Sequence, residues 1–202
     1  MSSVVSSARR LSLSVALSAV TLSVLGLTAC MDPKAAFKGV DITGADYAKE
    51  LNLPDQNGQV RKIKDFSGKL VVVFFGYTQC PDVCPTTMAE MAEVKKLLGK
   101  DGDKLQGIFI TVDPERDTPA VLKEYLSSFD KRMMGATGTR DAIDAALKSF
   151  RVYARRVPGT GEDYTMDHSA VVYLMDKQGR FVSGFNLQQP PQQAAQSLKP
   201  YL

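Results

Sequence analysis

One stretch limits the fold of this chain more than any other: an apolar run followed at once by two cysteines. Residues Leu70 to Phe75 are all apolar and rich in valine and phenylalanine. Such a run is typical of a strand covered on both faces, as in the centre of an α/β sheet. A helix is predicted from Pro85 to the residue before Gly99, because proline suits the first helical position and apolar residues then recur at helical spacing.

The two cysteines, Cys80 and Cys84, are therefore expected in the loop and first helical turn after a central strand, where α/β folds place their sites. A helix N-terminus lowers the pKa of a thiol and favours the thiolate, which binds metals and attacks disulfides. The pair has three uses open to it: a structural disulfide, a redox dithiol, or two ligands of a soft metal. The spacing alone does not choose among them, although a bridge closing so short a loop stabilises little.

The N-terminal segment has the pattern of a bacterial export signal. Arg9 and Arg10 precede an apolar stretch from Leu11 to Leu27, and small residues then precede Cys30, as in a lipoprotein cleavage box. We expect residues 1–29 to be a signal peptide and Cys30 to carry the lipid. The alternative is an uncleaved anchor helix. Both interpretations tether the domain to a membrane, on the periplasmic side of a bacterial cell envelope.

The rest of the chain is long enough for one domain with its own core. We expect residues 30–46 to form a lipid-anchored tether and residues 47–202 to form the domain. Without the two arginines of the signal, acidic and basic residues almost balance. No cluster of basic residues interleaved with aromatic residues remains, so the sequence does not favour a nucleic-acid-binding protein.

Strand and helix signals alternate along this domain. The pair Asn57-Gly58 between apolar runs predicts a hairpin. Thr118, which precedes a proline, and Thr139 are predicted N-caps of two helices. Further strands are predicted at 105–112, 133–137, 169–175 and 181–185, an extended arm at 152–157, and a last helix from 190 to about 202. This order resembles an α/β, thioredoxin-like fold with an N-terminal β-hairpin and an inserted arm before the strand that carries the histidine.

The chain contains a single histidine, His168, directly before the predicted strand that starts at Ser169. A lone histidine is more often a surface residue than a ligand, but one that follows the long arm could reach the cysteine loop. Two thiolates and one imidazole suit Cu(I), whereas a structural zinc site needs a fourth protein ligand, which is not evident. Asp167 could orient the imidazole from behind, or could equally face water.

Three motifs, taken together and in register, closely resemble the Sco/SenC family. They are Gly76-Tyr77-Thr78-Gln79-Cys80-Pro81-Asp82-Val83-Cys84-Pro85, Thr111-Val112-Asp113-Pro114-Glu115-Arg116-Asp117-Thr118-Pro119 and Asp167-His168-Ser169. The resemblance extends from about Val40 to Leu202. Members of that family are membrane-tethered, thioredoxin-like copper proteins that help to assemble the binuclear copper centre of cytochrome c oxidase.

The resemblance implies that Cys80, Cys84 and His168 are copper ligands, and that Cys80 and Cys84 cycle between a dithiol and a disulfide. It implies Cu(I) as the bound ion, with Cu(II) also suited to the imidazole. Its implied partners are a copper donor and a copper-accepting oxidase subunit, while the lipid on Cys30 would bind the membrane. Many relatives keep an uncleaved transmembrane helix instead, so this chain departs from them in its anchor.

Two functions from different classes follow from these residues. The first is a copper metallochaperone, which is not an enzyme, and the second is a thiol-disulfide oxidoreductase that reduces cysteines of an extracytoplasmic target. His168 separates them, because copper binding needs it and thiol exchange does not. Asp113, at the end of a central strand, is expected near the cysteine loop as a docking or tuning residue, although turn formation explains it as well. Tyr77 and Phe75 are expected to wall the site.

Overall fold

The computed structural model describes residues 43–161 and 163–202. The expected signal peptide, Cys30 and most of the expected tether lie outside these residues. Within the described part of the chain, no helix has both the length and the apolar character needed to cross a membrane.

The described residues form nine strands and four α-helices. The strands are β1 (Leu53–Pro54), β2 (Val60–Arg61), β3 (Leu70–Gly76), β4 (Leu105–Thr111), β5 (Met134–Ala136), β6 (Ala154–Pro158), β7 (Tyr164–His168), β8 (Val172–Met175) and β9 (Phe181–Gly184). The helices are α1 (Val83–Leu97), α2 (Pro119–Ser127), α3 (Arg140–Phe150) and α4 (Pro191–Leu198). Short 3-10 turns cover Ile63–Phe66, Gly99–Lys104 and Lys199–Tyr201.

The centre of the domain is a five-stranded mixed sheet in the order β5-β4-β3-β8-β9. Strand β3 pairs in parallel with β4 and antiparallel with β8, and every residue of β3 and β4 is buried. This confirms the predicted central strand covered on both faces, and with it the predicted thioredoxin-like α/β fold. The carboxyl ends of β3 and β4 lie side by side, so the loops that follow them meet at one edge of the sheet.

The predicted helix starts are confirmed to within two residues. The side-chain oxygens of Thr118 and Thr139 accept hydrogen bonds from the backbone N–H groups of Val121 and Ala142, which is ordinary N-capping. Helix α1 begins at Val83, two residues before the predicted start. Cys84 therefore lies within the first turn, as the sequence predicted.

The largest difference from the sequence prediction concerns the arm. The predicted extended arm is β6, and it pairs antiparallel with β7, from Ala154 opposite His168 to Pro158 opposite Tyr164. Among the described residues these two strands pair only with each other. Strand β8 also begins at Val172, later than predicted, because the N–H of Ser169 donates to the carbonyl of Tyr153 rather than to the central sheet.

The predicted N-terminal hairpin is present as the short strands β1 and β2. Asp55 fixes its turn: this buried carboxylate accepts hydrogen bonds from the N–H groups of Asn57 (2.8 Å) and Gln59 (3.0 Å) and from Nε of Arg61 (2.9 Å). Asp55 also forms a bridge to Ala136 of β5, which attaches the hairpin to the edge of the central sheet.

Candidate metal centre

The cysteine pair lies at the carboxyl end of β3. Cys84, in the first turn of α1, is fully buried, and Cys80, in the preceding loop, is partly exposed. Both are free thiols. The N–H of Cys80 donates to the carbonyl of Tyr77 (3.2 Å), a turn that brings the loop back towards the start of the helix.

His168, the last residue of β7, completes a cluster with these two cysteines. Its Nε2 atom is 3.7 Å from Sγ of Cys84. The ligand atoms of Cys80, Cys84 and His168 all lie within 4.8 Å of one another. Donors bound at about 2.0–2.3 Å to one metal ion lie no more than about 4.6 Å apart, so the three atoms need only a small contraction to share an ion. The residues present therefore fit a soft metal bound by two sulfurs and one nitrogen.

The imidazole is oriented with Nε2 towards Cys84 and Nδ1 away from it. Nδ1 of His168 is 3.1 Å from the carbonyl oxygen of Ser169. A carbonyl only accepts hydrogen bonds, so Nδ1 is the donor in this contact, and Nε2 is the ring nitrogen that faces Cys84. The sequence offered Asp167 as a residue that orients the ring, but Asp167 is exposed and the group bonded to Nδ1 is the Ser169 carbonyl.

Two aromatic rings hold the imidazole edge-on. The centroids of Tyr77 and His168 are 5.9 Å apart with an angle of 88° between the rings, and those of Phe74 and His168 are 6.2 Å apart. The expected role of Tyr77 is confirmed. Phe75 was wrongly expected at the site: its ring packs on Phe150, at 5.2 Å, on the other face of the sheet. Neighbouring residues of a strand point to opposite faces, so Phe74 takes the place expected for Phe75.

Burial decides the protonation of Cys84. Removal from water raises the pKa of its thiol well above the ordinary value, and the neighbouring thiol of Cys80 raises it further, while a hydrogen bond from the backbone of Tyr77 acts in the opposite direction. The sequence argument predicted a lowered pKa at the helix N-terminus, and for Cys84 this is wrong. Burial outweighs the helix dipole here, so a metal ion must displace a proton from Cys84 when it binds.

Gly76, the last residue of β3, leaves space for Cys84. A Cβ atom added at this position would lie 2.9 Å from Sγ of Cys84 and 2.9 Å from ring atoms of Phe74 and Phe109. Any side chain here would push on the sulfur and on two buried rings at once. The glycine is therefore required by close packing rather than by an unusual backbone angle.

The loop after β4 supports the cysteine loop with two aspartates. Asp113, which the sequence placed near the site, is buried, pairs with Arg116 and accepts a hydrogen bond from the hydroxyl of Tyr164 (2.9 Å). It is not part of the three-residue cluster. Asp113 therefore lies near the cysteine loop, as expected, and its role in docking or tuning stays a prediction.

Asp117 was missed by the sequence analysis. Its carboxylate accepts hydrogen bonds from the N–H and hydroxyl of Thr78 (3.1 and 2.6 Å) and from the hydroxyl of Thr111 (2.6 Å). These bonds tie the start of the cysteine loop to the end of β4. The only signal in the sequence was the membership of Asp117 in the second of the three motifs.

Comparison with known proteins gives the family. A profile of the SCO1/SenC family matches residues 40–202. An SCO2-like protein of Rickettsia felis is 39% identical over 152 residues, which are 74% of this chain and 74% of that protein.

Solved structures agree with this match. The structure of Bradyrhizobium japonicum ScoI with copper bound is similar with a TM-score of 0.74 and 53% identity, over 77% of this chain and 99% of that one. Yeast Sco1 with copper bound is similar with a TM-score of 0.71 and 37% identity, over 77% of this chain and 88% of that one. Since the family profile covers most of the sequence and the fold agrees, this chain belongs to the SCO1/SenC family.

Proposed function

We propose that this protein is a copper carrier that binds one copper ion through Sγ of Cys80, Sγ of Cys84 and Nε2 of His168. The observation that carries the proposal is the convergence of these three donor atoms within 4.8 Å. Membership of a family in which copper-bound structures are known supports copper as the metal. The recipient proposed from the family is an oxidase subunit, in the assembly of the binuclear copper centre of cytochrome c oxidase.

The donor set favours copper over harder or four-coordinate ions. Thiolate sulfur selects soft ions such as Cu(I), and imidazole suits both Cu(I) and Cu(II). A structural zinc site needs a fourth protein ligand, and the metal-binding group found among the described residues has three members. A three-coordinate ion with two partly exposed ligands, Cys80 and His168, can pass to another protein by stepwise exchange of ligands.

The proposed location rests on the N-terminal sequence. Arg9, Arg10 and the apolar stretch before Cys30 have the pattern of a lipoprotein signal. We propose a mature chain anchored through lipid on Cys30, with the metal centre on the periplasmic side of a bacterial cell envelope. Mass spectrometry of membrane-extracted protein tests this, because the anchored form begins at an acylated Cys30 and an uncleaved chain would contradict it.

A second function is favoured by the unequal exposure of the cysteines. Cys80 is partly exposed and Cys84 is buried, an arrangement that suits an attacking thiol and a resolving thiol. In this function Cys80 attacks a target disulfide to form a mixed disulfide, and Cys84 then releases the target. The target gains two electrons and two protons as a dithiol, and this chain is left with a Cys80–Cys84 disulfide. His168 takes no part in the exchange.

A Cu(I) titration of the reduced chain against a competing chromophoric chelator separates the two functions. The copper carrier predicts tight binding of one ion per chain, strongly weakened in His168→Ala and retained in Asp167→Ala, the matched control at the exposed neighbour. Both variants should still form the disulfide under oxidation. Weak binding by the unsubstituted chain, or binding indifferent to His168, would replace the copper carrier with the thiol-disulfide oxidoreductase.

A further inference from the structure

The three ligands of the proposed centre lie on two parts of the domain that share no sheet. We call the central five-stranded sheet and the helices that connect its strands the body of the domain. Cys80 and Cys84 belong to the β3–α1 segment of the body, whereas His168 ends the β6–β7 hairpin. In the described part of the chain, β6 and β7 pair with each other and with no strand of the central sheet. The distance between the imidazole and the two thiols therefore depends on side-chain contacts between the hairpin and the body.

One side chain, Arg116, contacts all the parts that must be held together. Its Nη1 donates to Oε1 of Gln79, the residue before Cys80, at 2.8 Å, and to the carbonyl oxygen of Tyr164, the first residue of β7, at 3.0 Å. Its Nε donates to the carboxylate of Asp113. A single guanidinium thus bridges the cysteine loop, the loop after β4 and the hairpin that carries the histidine.

Tyr164 strengthens this bridge from the hairpin side. The guanidinium carbons of Arg116 and Arg156 each lie 3.6 Å from the centre of the Tyr164 ring. Two like charges cannot share one position, so the ring is held between them, one guanidinium on each face. The hydroxyl of Tyr164 donates to Asp113 at 2.9 Å. Stacking of this kind is attractive for each cation, and the attraction strengthens as water is excluded.

The geometry of arginine, rather than its charge alone, makes the bridge. The Arg116 side chain is only 17% exposed, and its counter-charge, Asp113, is buried. Its planar fork directs Nε and Nη1 to separate partners, which the single ammonium of a lysine cannot do. Nη2 of Arg116 is buried and has no hydrogen-bond partner in the described structure. The arginine therefore does not occupy a position that satisfies all of its own hydrogen-bond donors.

We propose that Arg116 is a positioning residue for metal binding, which holds the β6–β7 hairpin over the cysteine loop and keeps Nε2 of His168 within reach of both thiols before the metal arrives. This inference rests on the proposed copper function. Without the Arg116 bridge, Cys80 and Cys84 keep their places in the β3–α1 segment, whereas the imidazole keeps its contacts with Tyr77 and Phe74 but is held less closely beside the thiols. Disulfide formation is retained and metal affinity falls.

The test is Arg116→Lys in the full chain, which keeps the positive charge and removes the fork. The matched control is Arg140→Lys, because Arg140 also pairs with a carboxylate, Glu115, and donates to a carbonyl, that of Val112, without contacting the hairpin. Competition with a chelator should give Arg116→Lys a Cu(I) affinity about 10–100-fold below that of the unsubstituted chain. Arg140→Lys should match the unsubstituted chain.

A spectroscopic readout separates positioning from loss of stability. His168 is the single histidine of the chain, so its ring protons give resolved NMR signals. In the reduced, metal-free chain these signals should be shifted by the rings of Tyr77 and Phe74, and Arg116→Lys should move them towards the values of a free imidazole. Unmoved signals together with unchanged affinity in Arg116→Lys would overturn the inference.

Two further measurements keep the outcome decisive. If Arg116→Lys does not fold, Tyr164→Leu, which removes the stacked ring and its hydroxyl, replaces it with the same expected loss of affinity. In a His168→Ala background, Arg116→Lys should cause no further loss, because its effect acts through the imidazole. Failure of His168→Ala to weaken binding overturns the copper function itself, whereas a His168-dependent site that is indifferent to Arg116 overturns only the positioning role.

Discussion

Gly76 and Cys84 show how closely the metal centre is packed at the scale of single residues. The space that a Cβ at position 76 would need is already occupied by Sγ of Cys84 and by two phenylalanine rings. The buried sulfur therefore has little freedom to move away from β3. This close packing fixes one ligand in advance, so binding does not have to order it.

We expect Gly76→Ala to destabilise the domain by about 1–3 kcal/mol, the usual cost of overpacking a filled core, and to weaken Cu(I) binding by displacing Cys84. The control is Gly184→Ala in β9, where an added Cβ would make only an ordinary contact, 3.7 Å from a side-chain carbon of Val171. Urea denaturation gives the stability and chelator competition gives the affinity. Equal effects of the two substitutions would contradict the packing argument.

At the scale of elements, the cysteine loop depends on Asp117. Its carboxylate accepts three hydrogen bonds from Thr78 and Thr111, and it is buried. Asp117→Ala leaves these donors unpaired and should lower the free energy of unfolding by about 1–3 kcal/mol for each donor that water cannot reach. Metal affinity should fall as well, because the loop is freed from β4.

A matched control for this change is Asp144→Ala, at an exposed site on α3 where the carboxylate makes only a long ion pair with Arg140. Chemical denaturation and Cu(I) competition on both variants decide the outcome. If Asp117→Ala binds copper as tightly as Asp144→Ala does, the loop does not need this anchor.

The β1–β2 hairpin gives a test by pH. Burial of Asp55 by itself would raise the pKa of its carboxyl, but hydrogen bonds from Arg61, Gln59 and Asn57 outweigh it and hold the pKa below the ordinary value of 3.8. A carboxyl whose pKa is lower in the folded state contributes stability above its unfolded pKa, and that stability is lost as the pH falls through the folded pKa.

We therefore expect Asp55→Asn to be less stable than the unsubstituted chain at pH 7, by about 1–3 kcal/mol, and the difference to shrink below pH 4. Urea denaturation at pH 7, 5 and 3 measures this difference in the free energy of unfolding. The other carboxyl groups contribute equally in both chains, so their contributions cancel in the difference. A stability gap that stays constant down to pH 3 would show that the charge of Asp55 contributes nothing.

The elements also show where reading the sequence succeeds and where it stops. Apolar periodicity and capping residues such as Thr118 and Thr139 are local signals, and they predicted β3, β4 and the helices closely. The pairing of β6 with β7 was not predicted, because alternating polar and apolar residues such as those from Tyr164 to His168 carry no signal for their partner strand. Helix position alone also predicted the wrong direction for the pKa of Cys84, since burial is a property of the folded domain.

The grouping of Cys80, Cys84 and His168 could be predicted because these residue types are rare in this sequence. A single histidine and a close pair of cysteines leave few combinations, and the structure brings all three together. Supporting groups are common residue types and were harder to identify. The sequence does not distinguish Arg116 from other arginines, or the carbonyl of Ser169 from other backbone carbonyls. Only the folded chain shows what each one contacts.

At the scale of the whole molecule, the proposed centre joins the β6–β7 hairpin to the body. An ion bound by Cys80, Cys84 and His168 would cross-link two parts that otherwise meet only through side chains and loops. An ion that binds the folded chain and not the unfolded one stabilises the fold by about 4 kcal/mol when its free concentration is 1,000 times its dissociation constant. For a domain of this size, that corresponds to a rise in Tm of about 8–16 °C.

We expect Cu(I) to raise the Tm of the reduced chain by this amount, and to leave the Tm of Cys84→Ala unchanged because its ligand set is broken. His168→Ala should show a smaller rise than the unsubstituted chain, since two thiolates still bind but no longer attach the hairpin. Calorimetry under strictly reducing conditions, with an equimolar chelator to remove loosely bound copper, measures all three. A rise in His168→Ala as large as that of the unsubstituted chain would mean that the ion stabilises the cysteine loop alone and that the hairpin is held to the body without it.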